Sequence, residues 1–354
     1  MTRISLLTEI PAPYRVPLFN ALADRVDLTV LFLRARNPER PYRLHAAEFR
    51  FEWRILRGID ATIGGRWLVA NLGVMRALRR ARPDVVLLGG WNQPAFWVAL
   101  AWARTRRLPA VVWVESTGRD RRSGRLEPTK RALLRAADAF LVPGRAAREY
   151  LLALGVADDR IAVAPNAVDP GLFGAELERV ERQRPVVLAV GRLSPEKGLD
   201  VLLQAADGLA GDIVLAGTGP EENRLRRLAG EHVRFLGNVE RDDLPALYAA
   251  ADVFVLPSRS DPWGMALNEA AHAGLPLVAT DAAGATSDLV EEGANGFSVP
   301  ADDVPALRKA LERLLGDPEL RAAMGARSLE LAAGFTPTAW AEAIEGLVAR
   351  LARR

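Results

Sequence analysis

The sequence predicts an α/β protein of two parallel-sheet halves, and three observations predict it. Short apolar runs alternate with amphipathic stretches along the chain, the pattern of strands joined by crossover helices. At 354 residues the chain exceeds the size at which one core keeps growing, so two units of about 150 to 200 residues are expected. Between residues 165 and 185 the alternation lapses into Pro, Gly, Asn and charge, which marks a linker. The expected divisions are therefore 1–164, the linker 165–185, 186–335, and a terminal helical segment 336–354.

In the first half, strands are expected at residues 4–7, 28–33, 85–88, 111–114, 140–142 and 161–163. Each is a continuous apolar run, as in a parallel strand covered on both faces. Helices fill the gaps, one of them at 68–80. Residues 85–103 carry no charge and are long enough for a membrane span, but Gly89, Gly90, Asn92, Gln93 and Pro94 interrupt them. Strand, turn and buried helix fit this stretch better. In the second half, strands are expected at 186–190, 213–216, 233–236, 253–256 and 277–279, and a last helix at 338–353.

Composition narrows the function classes. Forty-nine per cent of residues are apolar, enough for two cores, and cysteine is absent, which excludes disulfide scaffolds and thiolate metal sites. Glu9 interrupts the apolar start MTRISLLTEI, so no secretory leader is read and a cytoplasmic location is expected. His45, His232 and His272 are too scattered for a metal cluster, and no metal is expected. Residues 1–164 hold 28 basic against 15 acidic side chains, and the remainder 19 against 29. Arg66, Arg76, Arg79 and Arg80 beside Trp67 and Leu68, with Arg104, Arg106 and Arg107, offer a peripheral surface to an anionic membrane or acceptor. The competing reading is ordinary solvation in an arginine-rich, lysine-poor chain. No nucleic-acid motif is present and aromatics are only 6%, so no nucleic-acid partner is expected.

The chemistry concentrates in two segments. Lys197 is one of three lysines among 47 basic residues and lies five positions after Arg192. The run over 186–205 reads as a buried strand ending at Gly191, a loop, Ser194 as N-cap, Pro195 as first helical residue, and a helix from Glu196. Both cations then sit at the carboxyl end of a strand, where open α/β sheets bind ligands, and beside helix amides that favour phosphate. A guanidinium fork with a point-charge ammonium suits a diphosphate. Taken alone, a solvated loop with two unrelated charges reads as well. About seventy residues on, 253–280 repeats strand, loop, helix, tight Gly274 turn and strand. Eight positions separate Asp261 from Glu269, two turns if helical, but Pro262 and Gly264 put Asp261 on the preceding loop. Glu269 stands in a helix otherwise rich in Ala and Leu, where a charge needs a partner or ligand. A surface salt bridge is the alternative.

Together with TEIPAPYRVPLFNAL (8–22), VAPNAVDPGLF (163–173), VLAGTGPEE (214–222) and FLGNV (235–239), these segments resemble the retaining glycosyltransferases of family four over nearly the whole chain. Such proteins have the GT-B architecture of two facing Rossmann-like domains. The resemblance implies an acceptor-binding first domain and a nucleotide-sugar-binding second domain. It also implies a last helix crossing back to the first domain. Arg192 and Lys197 of the G-R-x-x-x-x-K-G loop would hold the donor diphosphate, and Glu269 the ribose hydroxyls. Gly191 and the loop of Trp263, Gly264, Met265, Ala266 and Leu267 would face sugar and phosphate, and Val239 the nucleobase. Cleft-facing loops would bring Pro13, Arg15, Trp91, Asn92 and Arg119 to the acceptor hydroxyl, whether of a sugar, a lipid-linked or a small molecule.

Three departures qualify the resemblance. Asp261 stands where the family has Glu, a methylene shorter. Glu115 follows the strand at 110–114 where a His is usual. It could bind the donor sugar, accept the acceptor proton if desolvation lifts its pKa, or pair structurally with Arg119 or Arg121. The Gly-Gly-x-x-Glu loop becomes Gly284, Ala285 and Asp288. The implied reaction moves a sugar from a nucleoside diphosphate to a hydroxyl with retention and without a cofactor, the leaving phosphate taking the proton. Asp261, Glu115, Arg192 and Lys197 are the expected catalytic set. A non-catalytic sugar-nucleotide-binding protein is the main alternative. A nicotinamide dehydrogenase is disfavoured, because Gly191, Gly217 and Gly219 form no G-x-G-x-x-G fingerprint.

Overall fold

The computed structural model describes residues 1–36, 45–63, 66–118, 127–174 and 184–353. The first half runs β1 (Arg3–Thr8), α1 (Val16–Ala23), β2 (Asp27–Phe32), β3 (Glu52–Ile55), β4 (Ile59–Ile63), β5 (Arg66–Ala70), α2 (Val74–Ala81), β6 (Val85–Leu88), α3 (Pro94–Thr105), β7 (Ala110–Trp113), α4 (Glu127–Ala136), β8 (Ala139–Val142), α5 (Arg145–Ala153) and β9 (Ile161–Val163). Then follow α6 (Pro170–Phe173), β10 (Val186–Val190), α7 (Leu199–Ala206), β11 (Asp212–Ala216), α8 (Glu222–Leu228), β12 (Val233–Gly237), α9 (Leu244–Ala249), β13 (Val253–Leu256), α10 (Met265–His272), β14 (Leu277–Thr280), α11 (Thr286–Leu289), β15 (Gly296–Val299), α12 (Val304–Gly316), α13 (Pro318–Ala332) and α14 (Pro337–Ala352).

Strands pair in parallel in the order β3-β2-β1-β6-β7-β8-β9 in one sheet and β12-β11-β10-β13-β14-β15 in the other. The second order is that of a doubly wound, Rossmann-like sheet, and the first is its extended counterpart. The apolar runs are continuous because each strand faces two cores. Val86 and Leu88 of β6 enter one cluster while Val85 and Leu87 enter the other. In the second sheet, Val253 and Val255 of β13 likewise oppose Phe254 and Leu256.

The order places a switch point in each sheet, between β1 and β6 and between β10 and β13, where successive crossovers leave in opposite directions and open a crevice. The α14 helix crosses back: Trp340, Ile344, Leu347 and Val348 are buried in a core with Phe19 of α1 and Trp113 of β7. Its polar side is tied by Arg25 to Glu342 and Glu345 at 2.6 and 2.7 Å.

Four elements differ from expectation. The helix expected at 68–80 divides into β5, antiparallel to β4, and α2, so Trp67 and Leu68 lie on a hairpin instead of the arginine-bearing helix. The helix expected from Glu196 begins at Leu199; Pro195–Lys197 form one 3-10 turn, and left-handed Gly198 separates the two. Edge strand β3 is exposed throughout and carries no apolar run to read. Strand β15 was hidden by Gly296 and exposed Ser298, although a Cβ at Gly296 would lie only 1.9 Å from the Leu277 carbonyl oxygen.

Candidate active site

The loop after β10 is fixed from three sides. Gly191 and Leu193 donate through their amides to the Ala216 and Thr218 carbonyls, both at 2.9 Å, and Arg259 donates its amide to the Glu196 carbonyl at 2.8 Å. A side-chain clamp reinforces the join: Arg259 donates to both oxygens of buried Asp200 at 2.8 and 3.1 Å and to the Pro195 carbonyl at 2.8 Å. Burial alone would raise the Asp200 pKa, but hydrogen bonds from Arg259 and Arg224 hold it below the ordinary range. Gly198 is required at φ 62°, since a Cβ there would sit 2.1 Å from the Pro257 carbonyl oxygen. The loops after β10 and β13 therefore touch backbone to backbone at the switch point.

At this junction Gly191, Arg192, Lys197 and Pro257 line one pocket. Lys197 Nζ donates to Asp261 Oδ2 at 2.5 Å, so the ammonium is held by the shorter acid that replaces the family's glutamate. Arg192 is exposed at the mouth. The field of the two cations is felt at Glu196: burial opposes it, yet the Ser194 hydroxyl, its own amide, Lys197 and Arg192 together hold its carboxyl low. Beside the pocket, left-handed Gly264 precedes α10, which has no side-chain N-cap. Its first amides, with the partial positive charge of a helix N-terminus, are suited to an anion. Trp263, the first residue of that expected sugar-facing loop, is buried and donates to Asn268 Oδ1 at 2.6 Å, so its ring is a structural pin.

Glu269 projects from α10 with no salt bridge among the described residues, which removes the surface ion pair as its explanation. Its Oε2 accepts from the Tyr248 hydroxyl at 2.5 Å. Burial pushes the Glu269 carboxyl up, an effect that the Tyr248 hydrogen bond opposes. Val239 is half-buried in the segment after β12.

The first sheet contributes a second polar cluster. Arg15 Nη2 reaches both Glu115 oxygens at 3.2 Å, Nη1 donates to Thr8 Oγ1 at 3.1 Å, and the guanidinium lies 4.5 Å over the Trp113 ring. Asn166 donates to Glu115 Oε1 at 3.1 Å. The partner expected for Glu115 at Arg119 or Arg121 lies outside the described residues; the partner the structure shows is Arg15. Arg15 itself, expected at the acceptor, is directed at this carboxylate, with only 13% of its side chain exposed. Asn92, exposed, donates to Glu9 Oε1 at 2.5 Å, and Gln93 to the same oxygen at 3.1 Å. Trp91 is half-buried with its ring 5.9 Å from the Lys130 ammonium, and Pro13 opens the short turn that carries Arg15. Arg119 lies outside the described residues.

Sequence reading named Asp288 but missed how it and other residues join the halves. Asp288 of α11 accepts from the Arg145 amide at 3.0 and 3.2 Å and so caps α5 of the first sheet. Gly144 allows the approach, because a Cβ there would meet Asp288 at 2.5 Å and Trp263 at 2.7 Å. Burial pushes the Asp288 carboxyl up, against the Ser287 hydroxyl and Arg145. Across the other edge Arg241 donates to Glu48 Oε2 at 2.8 Å. These pairs are 143 and 193 residues apart, beyond any spacing rule.

Comparison with known proteins bears on the whole arrangement. Residues 18–172 match the family described as Glycosyltransferase Family 4, and residues 176–330 match Glycosyl transferases group 1. Sulfoquinovosyl transferase SQD2 of Arabidopsis thaliana is 35% identical over 214 residues, 56% of this chain and 42% of that protein. The GDP-mannose-dependent alpha-(1-6)-phosphatidylinositol monomannoside mannosyltransferase of Mycobacterium tuberculosis is 36% identical over 217 residues, 55% of this chain and 53% of that protein. The chain thus spans about half the length of these curated relatives. In fold it is similar to Anabaena Alr3699/HepE, solved in complex with UDP-glucose, with TM-score 0.77, 19% identity, and coverage of 99% of this chain and 100% of that one.

Proposed function

We propose that this chain, which belongs to the family 4 and group 1 glycosyltransferases, transfers a glycosyl group from a nucleoside diphosphate sugar to an acceptor hydroxyl with retention of configuration. The observation that carries this reading is the pocket at the β10/β13 switch point, where Arg192 and Lys197 share one cavity beside the uncapped start of α10. A related chain of GT-B fold was solved with UDP-glucose, and relatives are named for nucleotide-sugar chemistry.

In this reading the second domain binds the donor and the first the acceptor. Arg192, Lys197 and the amides of Met265 and Ala266 hold the diphosphate. Glu269 takes the ribose hydroxyls, Val239 lies by the base, and Asp261 orients the donor sugar while steadying Lys197. As the glycosidic bond breaks, negative charge grows on the phosphate oxygens. The two cations and the helix amides are already aimed at that charge, so stabilising it requires no reorganisation. The departing phosphate accepts the proton of the attacking hydroxyl, so no side-chain nucleophile is needed and no metal is invoked. Glu115, held in place by Arg15 and Asn166, serves as a fixed hydrogen-bond acceptor for sugar hydroxyls.

The basic exposed side of α2, formed by Arg76, Arg79 and Arg80 next to exposed Leu72 and Met75, is the surface by which the chain would rest on anionic lipid. Among the described residues no helix is long and apolar enough to cross a membrane.

The test is a melting-temperature screen with uridine, guanosine and thymidine diphosphate sugars beside NAD, followed by transfer assays in buffer containing a chelator. Wild type should be stabilised by one nucleotide sugar and turn it over. Arg192→Ala should lose the shift and about 10²- to 10³-fold in kcat, typical of removing one preorganised donor. Stabilisation by NAD alone, or a full nucleotide-sugar shift in Arg192→Ala, would reject the assignment.

A further inference from the structure

Resting on the reading of Glu269 as the ribose ligand, we propose that Tyr248 is its positioning residue, fixing one carboxylate oxygen from the buried side so that the other is presented to the nucleoside. Tyr248 sits on α9, a different element from Glu269, and is wholly enclosed. Its ring packs edge-on against Phe173 at 5.7 Å and tilted against Phe254 at 5.8 Å. The single phenolic proton has two acceptors in reach, Glu269 Oε2 at 2.5 Å and the Ala266 carbonyl at 3.4 Å. The shorter contact has the length of a charge-assisted O–H···O⁻ bond, so the phenol directs its proton at Glu269 rather than at the Ala266 carbonyl.

Oε1 of Glu269 receives no hydrogen bond from the described residues, and the residue is only half-buried, so this is the oxygen left for a ribose hydroxyl. The phenol remains a donor throughout the physiological range, since burial, and then the neighbouring carboxylate, push its pKa well above the ordinary value. Other charged groups nearby on the packed elements are His272, on the next turn of α10, and Asp169, just before α6; neither shifts Glu269, whereas Tyr248 does. One hydrogen bond therefore fixes the carboxylate's position and opposes the upward push that burial gives its pKa.

The experiment measures affinity for UDP and GDP, taking the tighter binder, against inorganic pyrophosphate, in wild type, Tyr248→Phe, Glu269→Gln and Phe173→Leu. The Phe variant keeps the ring and its neighbours, so the pocket stays filled. Tyr248→Phe should weaken the nucleoside diphosphate about tenfold, the scale of a lost hydrogen bond to a charged group. Pyrophosphate affinity should be unchanged, and the pH below which the nucleotide is lost should move upward. Phe173→Leu loosens the same pocket but keeps the hydroxyl and should change neither the ratio nor the pH profile. Equal loss of pyrophosphate and nucleotide in Tyr248→Phe, or the same effect in Phe173→Leu, overturns the proposal. Loss in Glu269→Gln without loss in Tyr248→Phe overturns it too, while an unaffected Glu269→Gln instead removes the ribose reading on which it rests.

Discussion

His272 shows what a single buried side chain contributes one turn from the proposed donor site. Its Nδ1 lies 3.0 Å from the Asn268 carbonyl, which can only accept, so Nδ1 carries the proton. Its Nε2 is buried with no hydrogen-bond partner. Protonation would put a second N–H where nothing accepts it, and burial accordingly lowers the pKa from 6.5. The unfolded chain then binds more protons than the folded one below that value, so this contribution is complete above pH 6.5 and declines as pH falls toward the depressed folded pKa. Half-buried Glu269 and Asp288, whose carboxyls desolvation shifts upward, act in the opposite sense: what they contribute is lost as pH rises through their folded pKa values. The difference in melting temperature between wild type and His272→Gln isolates the ring. It should hold constant from pH 8 to about 7 and move against wild type below the ordinary histidine pKa; a flat difference down to pH 5 would mean the ring does not titrate. At this scale composition was informative. A lysine in a chain nearly without lysine pointed to a pocket-lining residue, and an acid in an apolar helix to one with an enclosed partner. That Lys197 is held by Asp261, 64 residues away, and Glu269 by Tyr248, 21 away, depends on which strands are neighbours, and no spacing encodes that.

Among the elements, β6, β10 and β13 were readable because burial on both faces demands an unbroken apolar run. The β4–β5 hairpin was misread because residues 68–80 carry apolar and basic residues at spacings that suit a helix. Asn71 and Gly73, within that stretch, were the break signals between β5 and α2. The correction sharpens the membrane reading. With Trp67 and Leu68 moved to the hairpin, α2 buries Val74 and Leu78 and keeps Arg76, Arg79 and Arg80 outward, beside Leu72 at 91% and Met75 at 45% exposure. A helix that buries one side and offers arginines beside exposed Leu and Met on the other is a surface for anionic headgroups. At about 1 kcal/mol per basic residue, Arg76→Glu with Arg79→Glu should weaken sedimentation with phosphatidylserine-containing vesicles by at least about fivefold per site. Binding should also fall with added salt. Failure of the wild-type chain to sediment with those vesicles would show that the arginines are merely solvated.

Across the whole molecule, the last helix makes the first sheet's core depend on the chain's end. Trp340 is fully buried, its ring 5.3 Å from Trp113 and 6.0 Å from Phe19. Trp113 in turn carries the Arg15 guanidinium on its face, and Arg15 holds Glu115. A continuous path of packed and hydrogen-bonded groups thus runs from α14 to Glu115, whereas the pocket of Arg192 and Lys197 is built from β10, β13 and their own loops. Trp340→Ala should remove about 3 to 5 kcal/mol of stability, the range for emptying a large aromatic site. The loss should fall on the first sheet. At temperatures where the variant remains folded, nucleotide-diphosphate affinity should stay near wild type while the acceptor KM rises and kcat falls, because Glu115 loses the support beneath its arginine. Calorimetry with two resolved transitions would show only one of them lowered. If donor affinity fell in step with acceptor KM, the two sites would share one mechanical unit and the division of labour between the halves would be wrong.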